Sequence, residues 1–213
     1  MLSRRRLIAA LAATPALATL PAFAQEGGPA SPEELAVPGP IKDMALGDGK
    51  APVTVYEYAS MTCPHCARFQ KDVFPHIKST YIDTGKVRWV LREFPLDPRA
   101  AAGFMLARCA GDDKYFAMID VLFAQQASWA FVDANQVLPA MVQIAKQAGF
   151  TQEQFDKCLQ DKTLYDGVMA VKQRASDKFK IDGTPTFFIN GKRYGGELSA
   201  AEFDKAVEPL LKS

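Results

Sequence analysis

Apolar positions in the first half of the chain follow two different spacings. Residues 53–58 and 87–91 are rich in β-branched and aromatic side chains, which predicts two buried strands. Between them, apolar side chains recur every three or four residues and predict one buried helix face: Cys66, Phe69, Val73 and Ile77. Pro75 should kink or end this helix. A strand, helix, strand order of this length favours a right-handed crossover and a parallel strand pair.

The chain from residue 98 to about 180 has helical spacing and no convincing strand. Five helices are predicted from their apolar stripes and end signals: 100–110 before Gly111, one from Asp112 or Asp113 through Leu122, 133–149, one from the Thr151 capping box, and one carrying Leu164 to Phe179. Their stripes are typical of ordinary core-facing helices. This block therefore predicts an all-helical insertion over 98–180.

Short elements are predicted at both ends of the α/β region. Residues 186–189 and 192–194 flank Asn190-Gly191, the pair that favours a two-residue hairpin turn, and a last helix should run from a Ser199 cap to Leu211. Residues 25–50 are rich in Gly and Pro, so we expect no helix there, only a possible edge strand at Met44–Leu46. We therefore expect a flexible arm over 25–43 and an α/β domain made of 44–97 and 181–213.

The N-terminus has the pattern of an export signal. Arg4, Arg5 and Arg6 precede an Ala/Leu-rich run over 7–20, and Ala22-Phe23-Ala24, with small residues on either side of Phe23, precedes Gln25. The run is shorter than the roughly 20 apolar residues that span a bilayer, which disfavours an uncleaved anchor. We expect residues 1–24 to direct the protein to the periplasm by the Sec or the twin-arginine route, and the pattern leaves both routes open.

Charge argues against nucleic acid as a partner. The whole chain has 25 basic and 24 acidic residues, and removal of the three N-terminal arginines leaves 22 minus 24, or −2. A chain this close to neutral has no basic field for a phosphate backbone.

The four cysteines suggest two disulfides, because an exported protein meets an oxidising compartment. Cys109 and Cys158 both lie in predicted helices, and we favour a structural disulfide between them over two buried free thiols. The other pair lies in Cys63-Pro64-His65-Cys66, directly after a predicted strand and at the start of a predicted helix.

A C-x-x-C motif has several possible meanings. Haem attachment is excluded because Ala67, not histidine, follows the second cysteine. Zinc is disfavoured, because a ligand set of Cys63, Cys66, His65 and His76 would be cramped around His65. A redox pair fits best: the start of a helix favours a thiolate at Cys63, and Cys66, further into the helix, should be the buried resolving sulfur.

Three stretches together resemble the thiol-disulfide oxidoreductases of the DsbA type, a thioredoxin fold interrupted by a helical domain. They are 57–62 running into Cys63-Pro64-His65-Cys66, 183–186, and 92–96. The resemblance implies that Pro64 and His65 belong to an oxidising motif in which His65 adds positive charge or a hydrogen bond to the Cys63 thiolate. It also implies that Glu57 is a buried proton acceptor and not a solvent-facing strand residue, and that Thr184 and Pro185 form a cis-proline loop beside the disulfide.

The expected function is therefore that of a periplasmic disulfide oxidase that donates its Cys63–Cys66 disulfide and needs no bound cofactor or metal. The resemblance implies two partners: reduced, unfolded secretory proteins and a membrane reoxidase of the DsbB type linked to quinone. We expect a monomer. Two alternatives stay open at this point, a disulfide isomerase or reductase and a thiol-based metal- or protein-binding module. Met61, Phe94 and Trp129 are candidates for an apolar binding surface around the motif, although such residues more often belong to the core.

Overall fold

A mixed five-stranded sheet forms the centre of the part of the chain that the computed structural model describes, residues 30–212. The predicted export signal over 1–24 lies outside these residues. The strand order is β1-β3-β2-β4-β5, and only β2 and β3 pair in parallel. The strands are β1 (Met44–Leu46), β2 (Val53–Ala59), β3 (Val87–Glu93), β4 (Thr186–Ile189) and β5 (Lys192–Gly195).

Helices cover both faces of the sheet and fill the long connection between β3 and β4. They are α1 (Pro32–Ala36), α2 (Pro64–Asp72), α3 (Phe74–Ile77), α4 (Pro98–Cys109), α5 (Tyr115–Ala124), α6 (Gln126–Trp129), α7 (Ala134–Gln147), α8 (Gln152–Gln160), α9 (Lys162–Phe179) and α10 (Ala200–Val207). A π-helical turn follows α3 at Lys78–Ile82, and 3-10 turns lie at Asp112–Lys114 and Glu208–Leu211. None of the helices within 30–212 is long and apolar enough to cross a membrane.

The alternation of side chains along the strands separates two cores. Val55, Trp89 and Phe187 pack on one face against residues of α2, α3 and α10. Tyr58, Val90 and Phe188 pack on the other face against α1 and α9, where the buried partners include Leu35, Ala175 and Phe179. A third cluster joins the end of β2 and the start of α2 to the helical segment, with Met61, Cys66, Phe104 and Trp129 among its members.

Local sequence patterns correctly predicted most of these elements. Thr151 with Gln154 and Ser199 with Glu202 form complete capping boxes at the starts of α8 and α10. Asn190 and Gly191 both have positive φ, 43° and 89°, as a two-residue hairpin turn requires. The helix after the C-x-x-C motif ends at Asp72, and Pro75 lies in the first turn of α3, where its missing N–H costs no helical hydrogen bond.

The prediction that no helix forms in residues 25–50 is wrong for α1. The Ser31 side chain accepts a hydrogen bond from the backbone N–H of Glu34, and Pro32 occupies the first turn, so proline here starts a helix. Leu35 is fully buried against the sheet. Within residues 30–43, which were expected to belong to a flexible arm, α1 is therefore anchored to the rest of the protein through Leu35.

A buried arginine holds this N-terminal segment in place. The guanidinium of Arg92, which is 2% exposed, pairs with Asp43 at 2.7 Å and donates to the Leu35 carbonyl at 2.7 Å and the Tyr58 hydroxyl at 2.9 Å. A buried guanidinium is tolerated only when its charge and its donors are satisfied, and the segment that precedes β1 supplies two of these partners, Asp43 and Leu35.

Candidate active site

Cys63 stands at the first position of the helix that follows β2. It is the N-cap of α2 with extended backbone angles, Pro64 begins the helix, and the Cys63 carbonyl accepts the first helical hydrogen bond from Ala67 at 3.2 Å. Cys66 lies one turn further along and is fully buried, whereas Cys63 is 5% exposed. Both are free thiols. The motif thus places one sulfur at the helix end and the other inside the core.

A distant segment meets Cys63 from the opposite side. The peptide bond between Thr184 and Pro185 is cis, and the Thr184 carbonyl accepts a hydrogen bond from the Cys63 thiol at 3.2 Å. These residues directly precede β4, which pairs with β2, so the sheet brings the two segments together across 121 positions of sequence.

The two thiols have opposite acidities. A hydrogen bond from Cys66, one from the Thr184 side chain, and the backbone N–H groups of Cys66 and His65 outweigh burial and lower the pKa of Cys63 to about 5. Burial, and then the interaction with Cys63, raises the pKa of Cys66 well above its ordinary value. At neutral pH Cys63 is therefore a thiolate and Cys66 a thiol. This difference is what the start of a helix and the core behind it should produce.

Glu57 lies on the face of β2 that also carries Val55, and it is 2% exposed. Burial raises the pKa of Glu57 to about 8, a hydrogen bond from Trp89 opposes that rise, and the Cys63 charge adds to it. The charge of Glu57 in turn raises the pKa of Cys66. The structure thus gives the motif a buried acid that is mostly protonated at neutral pH and is electrostatically coupled to both sulfurs.

The His65 ring points toward the surface. Its Nδ1 atom lies 2.7 Å from Nη2 of Arg68 and 3.3 Å from a carboxylate oxygen of Glu197, and Arg68 Nε donates to Glu197 at 2.9 Å. The side chain of His65 is 58% exposed. The polar contacts of the ring are therefore with this surface cluster, and the part of His65 that lowers the Cys63 pKa is its backbone N–H.

Three hydrogen bonds of the loop between β2 and α2 were not predicted from the sequence. Gln126, 6% exposed at the start of α6, donates its side-chain amide to the carbonyls of Met61 and Cys63. Thr62 donates to the Asp97 carboxylate at 2.6 Å. For Gln126 a sequence signal did exist: it is a polar residue between Leu122 and Trp129, at the three- and four-residue spacing of a buried helix face.

The three residues suggested for an apolar surface are core residues instead. Met61 and Trp129 are fully buried and Phe94 is 3% exposed, so that prediction is wrong. Trp129 donates its indole N–H to the Leu122 carbonyl at 2.9 Å and packs within the helical segment with Met61.

The four residues suggested as zinc ligands are not arranged as a metal site in the structure. His76 lies on α3 and its Nε2 atom contacts Asp204 of α10 at 2.8 Å. Across residues 30–212, no group of three or more His, Cys, Asp or Glu side chains is arranged to hold a metal ion.

The second cysteine pair is joined. A disulfide connects Cys109, the last residue of α4, to Cys158 in α8, across 49 residues of sequence and 6.1 Å between the Cα atoms. It cross-links two helices of the segment between β3 and β4.

Comparisons with known proteins agree with this geometry. The family model described as Thioredoxin matches residues 40–209. A Rickettsia bellii protein named "Putative protein-disulfide oxidoreductase" is 36% identical over 170 residues, which cover 78% of this chain and 65% of that protein. A Rickettsia felis protein of the same name is 32% identical over 199 residues, or 92% and 71% of the two chains. The chain thus spans about two thirds of the length of these curated relatives.

A solved structure extends the likeness to three dimensions. The crystal structure of Wolbachia pipientis alpha-DsbA1 is 35% identical to this chain, with a TM-score of 0.79, and the match covers 86% of this chain and 96% of that one. The predicted thioredoxin fold with a helical segment inserted between β3 and β4 is therefore confirmed.

Proposed function

Because this chain belongs to the thioredoxin family and to its DsbA-like members, we propose that it is a protein-disulfide oxidoreductase whose oxidised Cys63–Cys66 pair donates a disulfide to proteins that fold in the periplasm. The single observation that supports donation best is the difference between the two sulfurs. A Cys63 thiolate with a pKa of about 5 stabilises the dithiol form relative to the disulfide form. The disulfide is therefore a stronger oxidant than it would be if Cys63 had an ordinary pKa. The same direction holds for DsbA, whose stabilised reduced form makes it a strong oxidant.

The proposed reaction has two exchange steps. A substrate thiolate attacks Cys63 Sγ, the Cys63–Cys66 bond breaks, and Cys66 leaves with the electron pair. A second substrate thiolate then attacks the substrate sulfur of the mixed disulfide and displaces Cys63. The substrate loses two electrons and gains a disulfide, while this protein becomes a dithiol. The low pKa of Cys63 makes its thiolate a better leaving group in the second step than a thiolate of ordinary pKa would be.

Glu57 is the proposed proton carrier for the buried sulfur. Cys66 needs a proton when it leaves as a thiolate, because its own pKa is well above neutral. A carboxyl with a pKa of about 8 holds a proton at neutral pH and can give it to Cys66 or take it back when the disulfide forms again.

The Thr184-Pro185 loop is the proposed contact for an extended substrate. Its backbone lies beside Cys63 at hydrogen-bonding distance, and it runs directly into β4. An extended peptide next to this loop could add main-chain hydrogen bonds while its cysteine reaches Cys63. Main-chain recognition of this kind suits substrates that share no sequence.

The proposed partners follow from the electron balance. Reduced, unfolded secretory proteins supply two electrons per disulfide, and the resulting dithiol must be reoxidised. We propose a quinone-linked membrane reoxidase of the DsbB type for that step, with this protein acting as a monomer and with no cofactor besides its redox-active disulfide. Export by the N-terminal segment belongs to the same proposal.

Substitution of each motif cysteine tests the proposal. Cys63→Ser should abolish disulfide transfer to a reduced test protein. Cys66→Ser should accumulate mixed disulfides, because a Cys63 thiolate that has attacked a substrate disulfide can no longer be released by Cys66. Transfer retained by Cys63→Ser would overturn the mechanism.

Equilibration of the wild-type pair with glutathione tests the direction of electron flow. An oxidising potential supports donation. A strongly reducing potential would favour the reductase alternative.

A further inference from the structure

Gln126 bridges two carbonyls of the loop that carries Cys63. Its Nε2 atom donates to the Met61 carbonyl at 2.9 Å and to the Cys63 carbonyl at 3.0 Å. A side-chain amide nitrogen has two N–H groups, so both donors are used by this loop. The residue belongs to α6, and 63 positions of sequence separate it from Cys63.

Other residues of the helical segment hold the same loop. One Asp97 oxygen accepts from Thr62 at 2.6 Å, and the other caps α4 by accepting from the Ala100 N–H at 2.9 Å. Met61 packs so closely on α4 that a Cβ placed on Gly103 would lie 3.0 Å from Met61 Cγ. The backbone between β2 and α2 is thus fixed from outside, by groups of α4 and α6.

This attachment bears on the chemistry because Cys63 depends on a few directed hydrogen bonds. The backbone N–H groups of His65 and Cys66 reach Cys63 only while the first turn of α2 keeps its position relative to the sulfur. Hydrogen bonds weaken steeply as their angle and distance change. A displacement of the Cys63 carbonyl would therefore weaken the hydrogen bonds that stabilise the Cys63 thiolate.

We propose that Gln126 is a positioning residue that holds the first turn of α2 in the geometry that stabilises the Cys63 thiolate. The role rests on the proposed redox function of Cys63. It makes the oxidising strength of the motif depend on a side chain of the inserted helical segment, whose hydrogen bonds go to backbone carbonyls and not to either sulfur.

Gln126→Met tests this role, with Gln125→Met as the matched control one residue earlier. Methionine keeps the length of the side chain and removes both donors. We expect the pH midpoint of Cys63 alkylation to rise by about half a unit to one unit, which lowers the acid dissociation constant about three- to tenfold. The equilibrium with glutathione should shift toward the disulfide form by the same factor, because the reduced state has lost that stabilisation.

Gln126→Glu provides a second variant with nearly the same shape. A carboxylate there has no donor for the two carbonyls and adds negative charge near the loop, so the alkylation midpoint should rise at least as far as in Gln126→Met. Denaturant unfolding of both redox forms accompanies each measurement. The reduced form of either variant should lose more stability than the oxidised form does.

Two outcomes would overturn the proposal. One is an unchanged Cys63 midpoint and glutathione equilibrium with equal loss of stability in both redox forms, which describes a purely structural residue. The other is an equal shift in Gln125→Met. Failure of the redox function would look different: the wild-type protein would transfer no disulfide, while the alkylation midpoint would still report on Gln126.

Discussion

The two cysteine pairs of this protein use the same chemistry in opposite surroundings. Cys63 is the N-cap of α2, where unpaired backbone N–H groups favour a thiolate, and only Pro64 and His65 separate it from its partner Cys66. Cys109 ends α4, where the carbonyl end of the helix disfavours a thiolate, and its partner in α8 is 49 positions away. Position at a helix end and loop length thus separate a pair suited to exchange from a pair suited to cross-linking.

Loop length makes the Cys109–Cys158 disulfide the larger contributor to stability. Closing a loop of 49 residues removes chain entropy from the unfolded state that is equivalent to about 4 kcal/mol. The Cys63–Cys66 pair closes a loop too short for a comparable entropic effect. The cross-link can therefore hold the helical segment together while the motif changes redox state.

Removal of the cross-link should produce the largest change in stability. The double variant Cys109→Ser and Cys158→Ser should lose about 4 kcal/mol of unfolding free energy, measured by denaturant titration under oxidising conditions. Disulfide transfer at a temperature where the variant is folded should stay within about twofold of wild type. Loss of transfer in a folded variant would mean that the second pair takes part in exchange.

Glu57→Gln should produce the next largest change, and in the stabilising direction. The folded-state pKa of Glu57 is raised from 4.5 to about 8, so its effect on stability is absent below pH 4.5 and becomes increasingly unfavourable as the pH rises to about 8. At pH 7 the variant should gain up to about 3 kcal/mol of unfolding free energy, measured by denaturant titration across this range. Release of its mixed disulfides by attack of Cys66 should be slower, because glutamine cannot take the proton from Cys66.

Glu93→Gln is the matched control for Glu57→Gln. Glu93 is equally buried on the neighbouring strand but pairs with Arg108 at 2.6 Å and accepts from the Tyr115 hydroxyl at 3.0 Å. Its substitution should destabilise the protein at pH 7, because Arg108 would lose its buried partner. Destabilisation by Glu57→Gln at pH 8 would contradict our account, since it would show that Glu57 is ionised and satisfied.

The pH dependence of stability should differ between the two redox forms of the motif. The pKa of Cys63 is lowered from 9.0 to about 5, so its thiolate adds stability that grows as the pH rises from 5 toward 9, and only the reduced form has this thiolate. The unfolding free energy of the reduced form minus that of the oxidised form should therefore rise between pH 5 and pH 8. Parallel curves for the two forms would contradict the low pKa, and the reduced Cys63→Ser variant should lose the rise.

Elements with local signals were predictable from the sequence. The capping boxes at Thr151 and Ser199, the Asn190-Gly191 turn and the strand composition of β2 and β3 each act within a few residues, and all of them produced the expected element. The helix α1 was missed because proline was interpreted as a breaker, whereas Ser31 and the burial of Leu35 make Pro32 a helix start.

The candidate site was predictable only where it is local. Cys63 and Cys66 could be assigned from their spacing and from the helix that follows, but Thr184 entered through the family resemblance, since it reaches Cys63 across 121 positions. The contacts of Gln126 and the surface orientation of His65 depend on which side chains the fold brings near, Met61 in one case and Arg68 with Glu197 in the other. The pattern of residues along the chain does not indicate directly which side chains the fold brings into contact.

The smallest expected effect concerns the exposed charges beside Cys63. Glu197 pairs with Arg68 at 2.9 Å and lies 3.3 Å from His65. The negative charge of Cys63 contributes to a raised pKa of Arg68, so the two charges interact. Glu197→Gln removes the anion and leaves Arg68, whose positive charge interacts with the Cys63 thiolate. Because these groups are largely exposed and screened by solvent, we expect the glutathione equilibrium to shift toward the reduced form by only about twofold at low salt.

Salt dependence makes the Glu197→Gln effect distinguishable from a change of structure. The twofold shift should shrink as the ionic strength rises from about 0.01 M to 1 M, because the screening length falls from about 30 Å to about 3 Å. No comparable salt-dependent shift should appear in the stability that the Cys109–Cys158 cross-link provides, since chain entropy is its main source. A Glu197→Gln effect that persists at high salt would mean that Glu197 acts on Cys63 through the position of α2 and not through its charge.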